Sequence, residues 1–331
     1  MTSPLRRGIP VLAACFVAMV VAVLAAPFIG STSISFSRVF STSIPFADNV
    51  DAQIFFIARL PRALAAALVG GTLAAAGVVF QGLLRNPLAT PYTLGVSAGA
   101  SLGAMVAITF GSVWMVGGVA SASLLGAFLA VAIVYAMASA RHRGLSTTVL
   151  LLAGVTLNSF FSALILFVQY LSDFAQTFRA LRWLMGDLDV AGYGPILAAL
   201  PLVAIAFVAF AWLARPLNLL SIGVEAAGTR GVNVVTAQRT AFFSASLATG
   251  AAVSVGGPIG FVGIIVPHLV RLVVGADHRL VLPASTLFGA AFLVACDVIA
   301  RTVFAPIELP VGIITAIIGG PFFLWMLIRN R

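Results

Sequence analysis

The sequence predicts an all-α polytopic membrane protein with ten transmembrane helices in one domain, 1–331. Three observations carry this. The chain is 61% hydrophobic and 8% charged, with mean hydropathy +1.15, whereas soluble domains average about 25% charged residues. Apolar runs of spanning length recur along the whole chain, and short polar intervals between them hold nearly all the charge. There is no hydrophilic stretch long enough for a separate catalytic domain.

A span needs about 20 mostly apolar residues. The first is 9–29. It follows Arg6-Arg7 and ends in Ala25-Ala26, which resembles a signal peptide, but its length suits an uncleaved helix. The Ser-rich interval 30–53, with Arg38, Asp48 and Asp51, is too polar to span. The second span, 55–84, is long and is expected to project from the bilayer before Arg85-Asn86-Pro87 ends it. The third is 92–110 and the fourth 113–140, closed by Arg141-His142-Arg143. The fifth is 147–171. A polar interval, 172–189, precedes the sixth, 193–214. The seventh, 240–255, breaks at Gly256-Gly257-Pro258. The eighth is 259–274, the ninth 281–304, and the tenth 311–328 after a turn at Pro306–Pro310.

All 18 basic residues are arginine. Without lysine there is no Gly-Lys-Ser/Thr phosphate loop and no Schiff-base chemistry. If ATP drives this protein, another chain hydrolyses it, so ATP and Mg belong to a partner and no cofactor is expected here. Arginine placement sets topology. With ten spans, the side holding both termini carries twelve arginines against Glu225 and Asp277, a net of about +10. The other side carries six arginines against six carboxylates. Both termini are therefore expected in the cytoplasm of a bacterial inner membrane, and the net charge of +9 reads as topology, not nucleic-acid binding. Cys15 and Cys296 lie in apolar runs and read as core residues. No His, Cys or carboxylate cluster has metal-ligand spacing. Pro267-His268 tempts a haem-ligand reading, but a lone histidine beside Arg271 reads as structural. His142 and His278 sit among arginines in loops.

Gly95, Gly99 and Gly103 recur every four residues, as do Gly70 and Ala74, and Gly71 and Ala75. Small residues at that spacing let helix backbones approach closely. They describe packing and not a site.

The least membrane-like stretch is 215–235. It holds Arg215, Glu225 and Arg230, and the helix breakers Pro216, Gly223, Gly228 and Gly231. Leu217, Leu219, Leu220, Ile222 and Val224 nevertheless make it amphipathic. An apolar-studded element held at the water side is expected to meet a soluble partner. Two short helices hinged at Gly223 or Gly228 would serve; the alternative is an amphipathic loop on the membrane surface.

Four motifs run through the chain in order: Ala58-Arg-Leu-Pro-Arg with Gln81-Gly-Leu-Leu-Arg-Asn-Pro-Leu; Leu217-Asn-Leu-Leu-Ser-Ile-Gly-Val-Glu-Ala-Ala; Gly260-Phe-Val-Gly-Ile-Ile-Val-Pro-His with Asp277-His-Arg; and Glu308-Leu-Pro-Val-Gly with Gly320-Pro. Together they resemble the FecCD-type permeases, the membrane subunits of ABC importers for iron–siderophore complexes, haem and vitamin B12. The resemblance implies a type II importer bundle like that of the vitamin B12 system, a homodimer, two ATPase subunits and a periplasmic binding protein. It also implies an inverted relation between helices two to five and seven to ten, and a cavity lined by the fifth and tenth helices.

By that resemblance Leu219, Leu220, Gly223, Glu225 and Ala226 form the ATPase-coupling segment. Arg59, Arg62 and Arg301 dock the binding protein's glutamates, a task suited to bidentate arginine. Read from the residues alone, Arg59 and Arg62 would snorkel at a headgroup boundary, and Arg301 would pair with Asp297 at i,i+4. Asn86 and Leu88, with Ser146 and Thr147, match two cytoplasmic constrictions; without it, they read as a Pro-capped loop and a helix N-cap. Arg179 and Arg182, near Tyr170 and Trp183, form an outer mouth suited to a flat ring with propionates and equally to an anionic siderophore. Haem is the expected substrate, with a ferric siderophore or cobalamin as alternatives. An ion-coupled transporter would want midplane carboxylates, and only Asp297 lies within a span. A membrane enzyme has no constellation to support it.

Overall fold

The computed structural model describes residues 4–111, 118–139, 146–190 and 192–329. The start of the fourth expected span, Ala140, Arg141-His142-Arg143, Arg331 and the side chains of Arg6, Arg7 and Arg329 lie outside the described residues.

Helix α1 (Pro4–Ala25) leads into short turns that include α2 (Phe36–Val39) and α3 (Val50–Gln53). A π-helical stretch, Ile54–Arg59, then joins α4 (Leu60–Leu84). After it come α5 (Val96–Phe110), α6 (Gly118–Ser139) and α7 (Thr147–Tyr170). Next are α8 (Phe174–Leu184), α9 (Gly194–Leu220) and α10 (Val224–Thr229). The chain closes with α11 (Val234–Gly256), α12 (Val262–Val274), α13 (His278–Thr302) and α14 (Val311–Arg329). Among the described residues, ten helices have 13 or more residues. Six segments are long and apolar enough to cross a membrane, and α5, α12 and α14 are shorter apolar helices.

Helix α4 is the axis of the bundle. Ala63, Val69, Ala74, Val78 and Phe80 are each fully buried, because α4 packs against α13, α11, α12 and α9. Its Gly70 faces the Gly289 carbonyl of α13, and its Gly77 faces the Gly263 carbonyl of α12; a Cβ at either would strike backbone. Gly99 and Gly103 of α5 stand in the same relation to Gly126 and Ala122 of α6. The small-residue stripes are thus close helix crossings. In contrast, α7 and α14 are poorly covered: Leu152, Leu166, Ile317 and Leu324 are all more than 60% exposed.

Three boundaries differ from expectation. The interval 172–189 contains α8, whose start is a capping box: Asp173 accepts from the Gln176 backbone N–H, and Gln176 accepts from that of Asp173. Helix α9 runs through Arg215-Pro216 to Leu220, so the first half of 215–235 extends a long helix and is not a separate short one. Helix α11 begins at Val234, capped by Asn233, six residues before its expected start.

Candidate coupling corner and outer arginine cluster

At one end of the bundle, α9 stops where Gly223 adopts φ +144, a conformation L side chains rarely take, and α10 follows. Leu217 and Leu220 point inward, at 0% and 3% exposure. Leu220, one of the expected coupling residues, packs against the core of its own chain. Leu219, Gly223 and Ala226 are half-buried and Glu225 is exposed. The outward apolar groups are Ile222 and Val224. Ala227 is buried and its carbonyl accepts from Val232 N–H, which folds the segment back onto α11.

Asn218 ties this element to α13. Its Nδ2 donates to Asp277 Oδ1 (2.6 Å), and its Oδ1 accepts the His278 backbone N–H (2.9 Å). That Oδ1 also lies 2.7 Å from His278 Nδ1. Since Nδ2 is committed to a carboxylate, Oδ1 must face the ring, and His278 carries its proton on Nδ1. The His278 ring is buried at the first turn of α13 and not in a loop. Burial pushes the Asp277 carboxyl up, but the Arg279 N–H, the Asn218 amide and the Arg279 and His278 charges outweigh it and hold the group below its ordinary range. Beside this joint, Gln81 of α4 donates to Gly263 O (3.0 Å) and accepts from Arg271 of α12. Gln81, Arg271 and His278 line a cavity of about 250 Å³ that also touches Asn86 and Ser221. Of the expected constriction residues, Asn86 lies here and caps its own loop through Leu88 N–H (2.9 Å). Leu88 is exposed. Ser146 caps α7 through Val149 N–H (3.4 Å), and Thr147 follows, half-buried. No hydrogen bond among the described residues links the two pairs.

At the other end, Arg59, Arg62 and Arg301 converge as expected, but on each other's partners. Arg62 Nε donates to Asp297 Oδ1 (2.9 Å) and Nη1 to Glu308 Oε2 (2.5 Å). Arg301 Nε lies 3.1 Å from Asp297 Oδ2, a Coulombic contact without hydrogen-bond geometry. Arg59 donates to the carbonyls of Pro27 (3.2 Å) and Thr32 (2.6 Å), and Arg301 to that of Ala26 (3.1 Å). The three arginines are 8%, 8% and 3% exposed. Within this chain the three guanidinium groups are held by Asp297, Glu308 and the backbone that follows α1. They still line a cavity of about 930 Å³ with Glu308 and Arg182. Arg182 pairs with Asp187 (2.6 Å) and Asp189 (3.2 Å), while Arg179 is exposed one turn earlier on α8. Phe174 and Phe178 of α8 are 88% and 64% exposed, and Tyr170 is 87% exposed.

Between the ends, a cavity of about 500 Å³ lies on the open face of α7. Asn158, Ser162 and Gln169 line it with Ser97, Ser101 and Tyr92. It carries hydrogen-bonding groups but no charge.

A model of the FecCD transport family matches residues 18–329. This chain belongs to that family. A hemin transport system permease of Yersinia pestis is 39% identical to it over 319 residues, 95% of this chain and 93% of its own length. A cobalamin import system permease of Halobacterium salinarum is 47% identical over 273 residues, 82% of this chain and 72% of its own. Among solved structures, an inward-facing metal-chelate type ABC transporter superposes with TM-score 0.82 at 32% identity, covering 97% of this chain and 99% of that one. The FecCD protein described here is thus a multi-pass permease subunit of an ABC importer, and such permeases work with an ATPase and a binding protein. Sequence reasoning on this FecCD chain missed the hub role of Asp297 and the whole joint of Gln81, Asn218, Arg271 and His278. Asp277-His278-Arg279 lay inside a recognised motif, but its partners are about 60 residues away.

Proposed function

We propose that this FecCD permease imports haem, as a homodimer with ten crossings per subunit, both termini in the cytoplasm of a bacterial inner membrane. A periplasmic binding protein delivers the substrate to the arginine-lined end. Two ATPase subunits engage the α10 end through Leu219, Ile222, Val224, Glu225 and Ala226, so this chain binds no cofactor of its own. The observation that carries the orientation is the arginine asymmetry, since the α10 side holds twelve arginines against two carboxylates. A second copy would cover the open faces of α7 and α14 and enclose the cavity beside α7.

The haem reading rests on the mouth. Arg179 sits on α8 with the exposed Phe174 and Phe178, and the exposed Tyr170 ends α7 just before α8; an exposed cation with aromatic side chains on one short stretch suits a flat ring with carboxylates. The hemin permease relative, aligned over 95% of this chain, supports it. A specific observation favours cobalamin as the second reading: the cavity beside α7 offers only neutral Asn, Gln, Ser and Tyr groups, which suit an amide-bearing ligand. The cobalamin permease relative supports that reading. In both, ATP binding and hydrolysis on the partner move the α10 element and the Asn218 joint. Those motions shift α4 and α13 and open the path past Asn86 and Leu88 on one side and Ser146 and Thr147 on the other.

The test is uptake by proteoliposomes carrying the full complex, with ATP on the ATPase side. Haem accumulation that needs ATP and the binding protein is expected. Uptake of cobalamin or a ferric siderophore without uptake of haem overturns the haem assignment. Gradient-driven uptake without the ATPase overturns the import mechanism itself.

A further inference from the structure

Between α9 and α13, opening toward the outside of the bundle, lies a groove of about 520 Å³. Its walls are Phe207, Phe210 and Ala211 of α9 and Leu282 and Leu287 of α13, and its floor is Ala75 of α4. No carboxylate lines it. Its neighbours on α9 are apolar and open: Ile205, Val208 and Trp212 are 60%, 74% and 52% exposed, as befits a surface facing lipid tails. At its α10 end the groove changes character. Arg279 lines it there, exposed and in no ion pair among the described residues. Arg215, also exposed, follows one turn beyond Ala211 on the flank of α9. Asp277, two residues before Arg279, is hydrogen-bonded by the Asn218 amide and the Arg279 backbone N–H and forms no ion pair with the Arg279 side chain, although it feels that charge.

We propose that this groove holds one phospholipid with an anionic headgroup, its acyl chain against Phe207, Phe210 and Leu282 and its phosphate at Arg279. An apolar slot alone accepts any lipid tail. Arg279 at one end, with no carboxylate among the described lining residues, selects for negative charge, and basic pockets between helices at the cytoplasmic leaflet bind acidic headgroups in this way. The proposal rests on the orientation proposed above, which puts the arginine end in the cytoplasmic leaflet. It gives the lipid a structural place: His278 and Ala214 line the same groove, so an occupant braces α9 against α13 directly beneath the Asn218–Asp277–His278 joint.

Native mass spectrometry of the full-length permease with its ATPase, delipidated and then offered phosphatidylglycerol or phosphatidylcholine in mixed micelles, tests this. Wild type should retain one phosphatidylglycerol per permease chain and favour it over phosphatidylcholine. Arg279→Ala should lose roughly fivefold in that preference while still taking a lipid. Ala211→Trp, which fills the slot, should lose both lipids. Photo-crosslinking from a phosphatidylglycerol acyl chain should label the peptide around Phe207–Ala214 in wild type, a readout that does not depend on how well the variants fold. Equal retention of the two lipids by wild type, label confined to other helices, or loss of the dimer in Ala211→Trp with lipid retained would each overturn the proposal. Lipid retention requires no transport. Failure of ATP-driven uptake in both lipids would sink the import reading alone, and equal lipid retention with uptake intact would sink this one alone.

Discussion

Helix α4 is fastened at both ends, by opposite chemistries. At its start, Arg59 and Arg62 enter a cluster with Arg301, Asp297 and Glu308, in which Asp297 is 1% exposed. At its finish, Gln81 bonds to Gly263 O and Arg271, next to the Asn218–Asp277–His278 joint. Buried charges that hold each other are strongly destabilising to break singly, because the survivor is left without its partner. Hydrogen bonds made by amide side chains, here to Arg271 and Asp277, contribute less each, about 1.5–3 kcal/mol. The contrast suggests a frame that stays closed at the arginine end and a joint that can be reset at the α10 end. That division suits the proposed import cycle, in which α1, α4 and α13 stay together while the α10 element moves.

Asp297→Ala should show the largest effect. It leaves Arg62 and Arg301 without their buried carboxylate, and unfolding in mixed micelles should register a loss of about 3–5 kcal/mol. Replacing all three residues with Leu or Met should recover most of that loss, since apolar side chains can substitute for a buried ionic triad. A single substitution that costs less than about 1 kcal/mol would remove the contrast between the two ends.

Asn218→Ala is the matching test at the joint. It removes the donor to Asp277 and the acceptor facing His278, so unfolding should register a loss of about 1–3 kcal/mol. Its signature should be functional: ATP hydrolysis by the assembled complex persists while substrate uptake falls. If hydrolysis and uptake fall together in proportion, the joint is only structural.

Acid titration sharpens the same point. The folded-state Asp277 carboxyl lies below its unfolded value, so its contribution is complete above the unfolded pKa of about 4 and is lost as pH falls through the folded value. The share of wild-type stability that Asp277 contributes should therefore drop below about pH 4. Asn218→Ala removes one of the contacts that lower Asp277, so this acid-dependent loss should shrink. An unchanged acid limb would show that the Asn218 amide does not hold the carboxylate.

The long helices were legible because hydropathy needs no knowledge of neighbours, and each of the ten expected segments starts or ends within a few residues of a helix boundary. The departures have local causes. Arg215-Pro216 reads as a stop, yet α9 passes through it because Leu217 and Leu220 are buried on the inner side. Helix α8 carried a readable Asp173–Gln176 capping box inside an interval taken as merely polar. What could not be read was long-range pairing. Arg301 and Asp297 are four residues apart, and their pairing was foreseen. Arg62 and Asp297 are 235 apart, and Gln81 and Arg271 are 190 apart. Only the packing of α4 against α12 and α13 brings them together.

The smallest stability effect should come from Ile222→Ser, which separates the outer side of the coupling element from its inner side. Ile222 is 63% exposed and Val224 is 37% exposed, so replacing both with serine should change unfolding by no more than about 0.5 kcal/mol. Leu220 is 3% exposed, and Leu220→Ala should lose stability instead. The same variants should sort in reverse on partner binding. Purified in mild detergent, the Ile222→Ser/Val224→Ser permease should lose its ATPase, because an exposed apolar knob has its value in a partner's cleft. Retention of the ATPase by that variant would move the contact elsewhere on 215–235. Its loss from Leu220→Ala at temperatures where that variant remains folded would show that the buried face, and not the exposed one, shapes the element the ATPase recognises.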